Sequence, residues 1–360
     1  MKKKIFAFIL CLIFALAFCA GCGSSNQESA EPEAETEAEA TADVGQRTVY
    51  VTPEWVKGVI DGNQEGYENY VICEVSYGDV DSSPDYAEGH LPGAIHVGIV
   101  EVEDATGDAS GAYNLLAADE VVKNLLSHGI TKDTKVILYG QDPCGVGRQA
   151  YGYIWAGVED VKILNGGIEA WKAAGYDLET ESNEGTPAED FGTEAPAHPE
   201  YWTSIDDAKD KLANDDNFKL VSIRSEPEWL GETSGYSYMD KAGEPEGAVW
   251  GKGAETAFDV AQFINEDGTV KDLDGILKVW EGCDFTLDNH LAFYCGTGWR
   301  ATVPFLVLYE NGYDNISIYD GGWYEWLMHD DYPVQVGDPA SDSCQHVTVG
   351  ELPADKAAKE

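Results

Sequence analysis

The chain has 360 residues and carries 66 Asp and Glu against 22 Lys and Arg, a formal net charge of −44 at pH 7. That balance excludes nucleic acid as a partner, because such binding rests on Lys and Arg neutralising phosphates, and it excludes docking on a membrane through a polybasic face. The length suits two domains of ordinary size, and high negative charge favours a soluble monomer without saying anything about fold.

The first element is a targeting segment. Lys2, Lys3 and Lys4 precede an apolar run from Ile5 to Phe18, the pattern of a secretory signal. Cys19-Ala20-Gly21-Cys22 follows and resembles a bacterial lipobox, although Cys19 stands where Leu is usual. The expectation is a signal peptide over 1–21, a lipidated Cys22 as first mature residue, and an extracytoplasmic protein held at the bacterial cell membrane by that lipid; a plain signal peptide is the alternative. Glu28, Glu31, Glu33, Glu35, Glu37 and Glu39 alternate with small and polar residues, so 22–47 cannot bury a core and reads as a disordered acidic tether.

The body repeats itself. Thr52-Pro53 opens a helix over 53–60 as cap and first-turn proline. A short apolar run, Tyr70 to Val75, precedes Gly89-His90-Leu91-Pro92-Gly93-Ala94. A second run, Val136 to Leu138, closes on Tyr139-Gly140 and is followed by Asn165-Gly166-Gly167 and Trp171. The stretch 181–198, rich in Pro, Glu, Gly and Thr, reads as a linker. Beyond it, Thr203 or Ser204 opens a helix near 204–214, and Leu220 to Ile223 precedes Gly243-Glu244-Pro245-Glu246-Gly247-Ala248. Leu291 to Tyr294 then ends in Cys295, with Asp320-Gly321-Gly322 and Trp326 downstream. Tyr139 stands as far before Gly166 as Tyr294 stands before Gly321. Spaced self-similarity of this kind indicates duplicated domains, 48–180 and 199–340, with 341–360 a polar tail. Short apolar runs alternating with helical patterns predict an α/β fold, each domain a mainly parallel sheet with helices on both faces.

Cys295-Gly296-Thr297-Gly298-Trp299-Arg300 lies between an apolar strand pattern and a helical one, with Pro304 in the helix's first turn and Gly312 past its end. Cys295 is thereby placed at the carboxyl end of a strand, where open α/β sheets bind ligands. A short loop curling around a sulfur aims backbone N–H groups at it, and the helix N-terminus adds partial positive charge; both favour the nucleophilic thiolate. The competing reading is a small buried hydrophobe, which has no need of two glycines that bring backbone close to sulfur. With Cys22 lipidated, Cys73, Cys144, Cys283, Cys295 and Cys344 remain, an odd number that leaves at least one thiol free. No Cys or His spacing indicates a metal, and no cofactor is expected.

Three boxes in order resemble the rhodanese family in its tandem form: Asp85-Tyr86-Ala87-Glu88-Gly89-His90-Leu91-Pro92-Gly93-Ala94, the six-residue loop from Cys295, and Tyr319-Asp320-Gly321-Gly322-Trp323. The loop, with Thr233-Ser234-Gly235-Tyr236-Ser237-Tyr238 and Trp250-Gly251, is similar to extracytoplasmic thiosulfate sulfurtransferases. The resemblance covers about residues 48–336. It implies a double displacement in which Cys295 attacks the outer sulfur of thiosulfate, sulfite leaves, and a persulfide on Cys295 passes its sulfur to a thiol or cyanide. It implies N–H groups of residues 296–300 holding the outer sulfur, each such donor worth roughly 2–4 kcal/mol in the transition state. Gly296, Thr297, Gly298, Trp299, Arg300 and Arg224 then form the substrate site, with Arg300 clamping the sulfonate; the competing readings are a loop-bonded Arg300, a packing Trp299 and an Arg224–Glu228 ion pair. Implied partners are a small anionic sulfur donor and a thiol acceptor such as a thioredoxin-like protein. There are departures. Gly140 occupies the nucleophile's place in the first domain, so that domain reads as inactive, with Cys144 four positions off in this ungapped register. Ser222 and Glu244 replace the usual Asp and His in the second. Three alternatives stay open: a Cys-based phosphatase, whose loop needs one more residue; 3-mercaptopyruvate as donor, for which Gly296 leaves room; and a surface sulfur-carrier or binding protein without multiple turnover.

Overall fold

The structure, a computed structural model, describes residues 45–106 and 112–359. The signal segment, Cys22 and nearly all of the acidic tether lie outside the described residues. Among those described, no helix is long and apolar enough to cross a membrane.

The first domain is a five-stranded sheet of β1 (Tyr50–Val51), β2 (Tyr70–Ser76), β3 (Ile95–Gly98), β4 (Lys135–Tyr139) and β5 (Asp160–Leu164). Their spatial order is β1-β5-β4-β2-β3, and every pair is parallel. The helices between them are α1 (Pro53–Ile60), α2 (Pro84–Glu88), α3 (Ala118–Ser127), α4 (Pro143–Ala156) and α5 (Gly167–Ala173). The Thr52 hydroxyl accepts the Trp55 N–H at 3.2 Å, capping α1 at the expected residue. Strand alternation divides the sheet's faces: Val136 and Leu138 join the core under α3 and α4, while Ile137 and Tyr139 join the one holding Trp55 and Trp171.

The second domain begins with α6 (Ile205–Asn214), capped by Ser204, whose hydroxyl accepts the Asp207 N–H at 3.1 Å. Its strands are β6 (Phe218–Ser222), β7 (Glu244–Pro245), β8 (Val249–Trp250), β9 (His290–Tyr294) and β10 (Ile316–Ile318). The parallel sheet runs β10-β9-β6-β8, the order of β5-β4-β2-β3, and Trp202 bridges Ile318 where β1 would pair with β5. The duplication read from the sequence is thus a duplication of topology. Its helices are α7 (Glu226–Trp229), α8 (Leu273–Val279), α9 (Thr302–Glu310) and α10 (Gly322–Trp326).

Two expectations need correction. Residues 181–198 are not a bare linker: Phe191 is buried and its carbonyl accepts the Lys132 N–H at 2.9 Å, and the Ala188 N–H donates to Leu126 O at 2.9 Å, both partners in the first domain. Residues 341–360 are not a loose tail either. β11 (Pro333–Val336) pairs antiparallel with both β7 and β12 (Gln345–Thr348), and Val349 and Leu352 are buried behind them. An exposed edge strand with two apolar anchors after it does not register as a hydrophobic pattern.

Candidate active site

Cys295 follows β9 directly, and the chain needs seven residues, 295–301, before α9 begins. The loop's carbonyls are tied down: Cys295 O accepts from Trp323 N at 2.9 Å and Gly296 O accepts from Tyr324 N at 3.0 Å. This is the work of the Gly321-Gly322 box. Gly322 sits at φ +57°, and a Cβ there would lie 2.6 Å from both carbonyl oxygens. Gly296 is similarly enforced, since a Cβ would lie 2.3 Å from the Tyr236 hydroxyl. With the carbonyls held on one side, the N–H groups of residues 296–300 donate to no described backbone carbonyl. Among the described residues that ring of donors is available to a ligand on sulfur.

The Cys295 side chain, 1% exposed, opens on a cavity of about 280 Å³ between the two domains. Thr297, Trp299 and Arg300 also line it. The first domain contributes Tyr77, Glu103, Tyr113 and Cys144. Tyr236, Tyr238 and Phe258 close the remaining side. Tyr77, Tyr238 and Phe258 are 62%, 50% and 75% exposed, so the mouth of the cavity is aromatic.

Both arginines follow the competing readings, a bonded Arg300 and an Arg224–Glu228 ion pair. Arg300 grips Glu228 with both terminal nitrogens at 2.9 Å, and also reaches Thr256 O at 2.9 Å and the Tyr236 hydroxyl at 3.1 Å. Only its Nε–H has no acceptor among the described residues. A sulfonate-clamping Arg300 is therefore corrected to a wall residue with one donor left. Arg224 does not line the cavity; it bonds Glu228 at 3.1 Å and Glu244 at 2.8 Å. Two buried carboxylates close by leave its charge no reason to face a substrate. Trp299 both packs and lines: its indole donates to Glu103 at 2.7 Å and its ring stacks with Tyr77. Gly296 and Gly298 serve the loop's shape and do not line the cavity.

Burial raises the carboxyl of Glu228, but Arg300 and Arg224 beside it outweigh burial and hold it down at about 2. Glu244, also fully buried, goes the other way: burial dominates over Arg224 and lifts it to about 7. Glu103 and Asp142, near the cavity wall, are both raised by burial. Glu103, Tyr113 and Asp142 carry no motif in the sequence; only the domain contact brings them to the sulfur. Among the described residues, no cluster of Cys, His, Asp and Glu has metal-site geometry.

A family model for the rhodanese-like domain matches residues 67–174 and again 204–329. The chain belongs to the rhodanese family. This tandem rhodanese is 36% identical over 297 residues to thiosulfate sulfurtransferase YnjE of Escherichia coli (strain K12), across 81% of this chain and 66% of that one. It spans a little under two thirds of that relative's length. The crystal structure of YnjE superposes with a TM-score of 0.75 at 34% identity, covering 80% of this chain and 68% of the other. A putative thiosulfate sulfurtransferase of Haloferax volcanii is 28% identical over 81% of this chain and 97% of its own. The anaerobic ergothioneine biosynthesis enzyme from Chlorobium limicola, in complex with trimethyl histidine, superposes with a TM-score of 0.74 at 34% identity, covering 82% and 72%.

Proposed function

We propose that this rhodanese is a thiosulfate sulfurtransferase with Cys295 as its nucleophile and carrier. Cys295 attacks the outer sulfur of thiosulfate, sulfite leaves, and the sulfur stays on Cys295 as a persulfide until an acceptor thiol or cyanide removes it. The observation that carries this reading is the set of unengaged N–H groups at residues 296–300 around the one thiol that ends β9. They suit the negative outer sulfur as an oxyanion hole suits oxygen. The four residues between Cys295 and Arg300 argue against a phosphatase loop, which needs five. 3-Mercaptopyruvate remains the alternative donor. Intact-protein mass spectrometry after incubation with each donor tests the reading: one added sulfur on the wild type and none on Cys295→Ser is expected. Sulfur retained by Cys295→Ser would remove the assignment.

A second reading concerns the acceptor. Aromatic rings line the mouth, Glu103 and Asp142 are the acids beside it, and Arg300 is the only cationic side chain among the described lining residues. Such walls suit an organic cation better than a small anion. Structures of EanB, 34% identical, hold hercynine or ergothioneine and carry substitutions at a tyrosine and a threonine. Those stand at the same sequence separations from their persulfide cysteine as Tyr236 and Thr297 keep from Cys295. Trimethyl histidine is therefore the acceptor to offer the charged enzyme beside cyanide and a dithiol protein of the thioredoxin kind. Transfer to cyanide and dithiol with no product from trimethyl histidine would dismiss this reading.

The placement of the enzyme outside the membrane, through lipid on Cys22, rests on the lipobox-like sequence. Cys22→Ser is expected to move the protein from the membrane fraction to the soluble fraction; an unchanged distribution would rule the anchor out.

A further inference from the structure

The cavity holds a second thiol that the chemistry above leaves idle. Cys144 sits in the first turn of α4, 4% exposed, and lines the same cavity as Cys295. The two thiols are brought together by the repeat: α4 follows β4 as α9 follows β9, and the starts of the two helices pack against each other. A Cβ on Gly145 would lie 3.2 Å from the Trp299 ring, and one on Gly147 would lie 2.4 Å from the Thr302 hydroxyl. Asp142 caps α4, accepting the Cys144 N–H at 2.9 Å, and its carboxylate also faces the Cys144 sulfur. Burial and the Asp142 charge raise the Cys144 thiol and the Arg300 charge opposes them, and the buried Arg300 Nε–H has no acceptor among the described residues.

We propose that Cys144 is an intramolecular sulfur acceptor that takes the outer sulfur from the Cys295 persulfide and holds it as a second persulfide. The proposal rests on the Cys295 reading. The Cys144 thiol gives its proton to the Asp142 carboxylate. Its sulfur attacks the outer sulfur of the Cys295 persulfide, forming one S–S bond. The Cys295 S–S bond breaks, and its electron pair leaves on Cys295 as a thiolate facing the N–H groups of the loop. One S–S bond replaces another, so no oxidant or reductant enters. With its sulfur passed to Cys144, the Cys295 thiolate again faces the N–H groups of the loop and can attack a second thiosulfate, so the sulfur rests on Cys144 while Cys295 reloads. On this account the first domain keeps a chemical role without a nucleophile loop of its own.

The test loads the full-length protein with excess thiosulfate, removes the donor, alkylates, and reads intact mass and peptide maps. The wild type is expected to hold two sulfurs, the second on the peptide containing Cys144. Cys144→Ser and Cys144→Ala are expected to hold one, on Cys295. Cys295→Ser is expected to hold none, because nothing else delivers sulfur to Cys144. A wild type with a single sulfur confined to Cys295, two sulfurs both on Cys295, Cys144 loading without Cys295, or a Cys144–Cys295 disulfide with released sulfide would each overturn the proposal while leaving Cys295 as carrier. A wild type that takes up no sulfur would overturn the Cys295 reading itself, and this proposal with it. The decisive wild-type map needs no variant to fold.

Discussion

Glu228 is the residue on which the second domain's charge is organised. It receives Arg300 at both oxygens, Arg224 at 3.1 Å and Ser225 through its N–H and hydroxyl. Arg300→Ala leaves that carboxylate buried without its main partner, and should cost about 3–5 kcal/mol, as breaking a buried pair does; urea unfolding of the full chain measures it, and a cost below about 1 kcal/mol would mean that Arg224 alone suffices. Glu228 and Glu244 carry opposite pH signs. The Glu228 carboxyl, at about 2 when folded, contributes stability that is present above its ordinary range near pH ~4.3 and is lost as pH falls toward 2. Glu244, raised to about 7, contributes stability that is full below pH ~4.3 and declines as pH rises through 7. Glu244→Gln should therefore flatten the pH dependence between those limits, removing a slope of at most about 1.4 kcal/mol per pH unit. Unchanged midpoints across that window would mean that Arg224 keeps Glu244 ionised throughout.

At the scale of elements, the two domains differ most in the turn after their central strand. β9 and α9 are separated by a seven-residue loop, β4 and α4 by three residues, Gly140 to Asp142. The shorter turn cannot wrap a sulfur in N–H groups, and a Cβ on Gly140 would lie 2.3 Å from Val75 O and 2.9 Å from Val146. Gly140→Cys should accordingly load no sulfur at position 140 and should lower the thermal midpoint; a variant that loads sulfur there would show the missing thiol to be the only defect. Much of this was legible in the chain. Tyr139-Gly140 against Tyr294-Cys295 marked the paired strands, because strand ends and glycine turns depend on local residues alone. The partners of Arg300 were not legible, since Glu228 lies 72 residues away and nothing local announces a buried carboxylate. The place of Cys144 on the cavity was not legible for a related reason: in an ungapped register it falls off the loop, whereas the helix that carries it is turned toward the same cavity.

At the largest scale, the two rhodanese-like domains are held together by contacts that also build the cavity. Arg148 of the first domain bonds Glu103 at 3.2 Å and Asp320 of the second at 3.3 Å, and Glu103 in turn accepts from Trp299. One hydrophobic core runs through α4 and α9, joining Tyr151, Tyr201 and Phe305. The C-terminal segment belongs to this arrangement, although no hydrophobic pattern marked it. Lys356 O accepts the Ser234 N–H at 2.8 Å, and the Ala358 N–H donates to Tyr236 O at 3.0 Å, so the last residues fix the segment that places Tyr236 against Gly296 and Arg300. Cutting the chain after residue 352 keeps β12, Val349 and Leu352 but removes both bonds. Thermal unfolding should then change little, because the core is intact. Sulfur transfer should fall by about tenfold or more, as expected when one wall of a site is misplaced by a fraction of a reacting distance. A truncated protein with undiminished turnover would show that Arg300, the Ala257 carbonyl and the Ser234 hydroxyl suffice to hold Tyr236. A truncated protein that unfolds early would show that the tail supports the domain rather than the site.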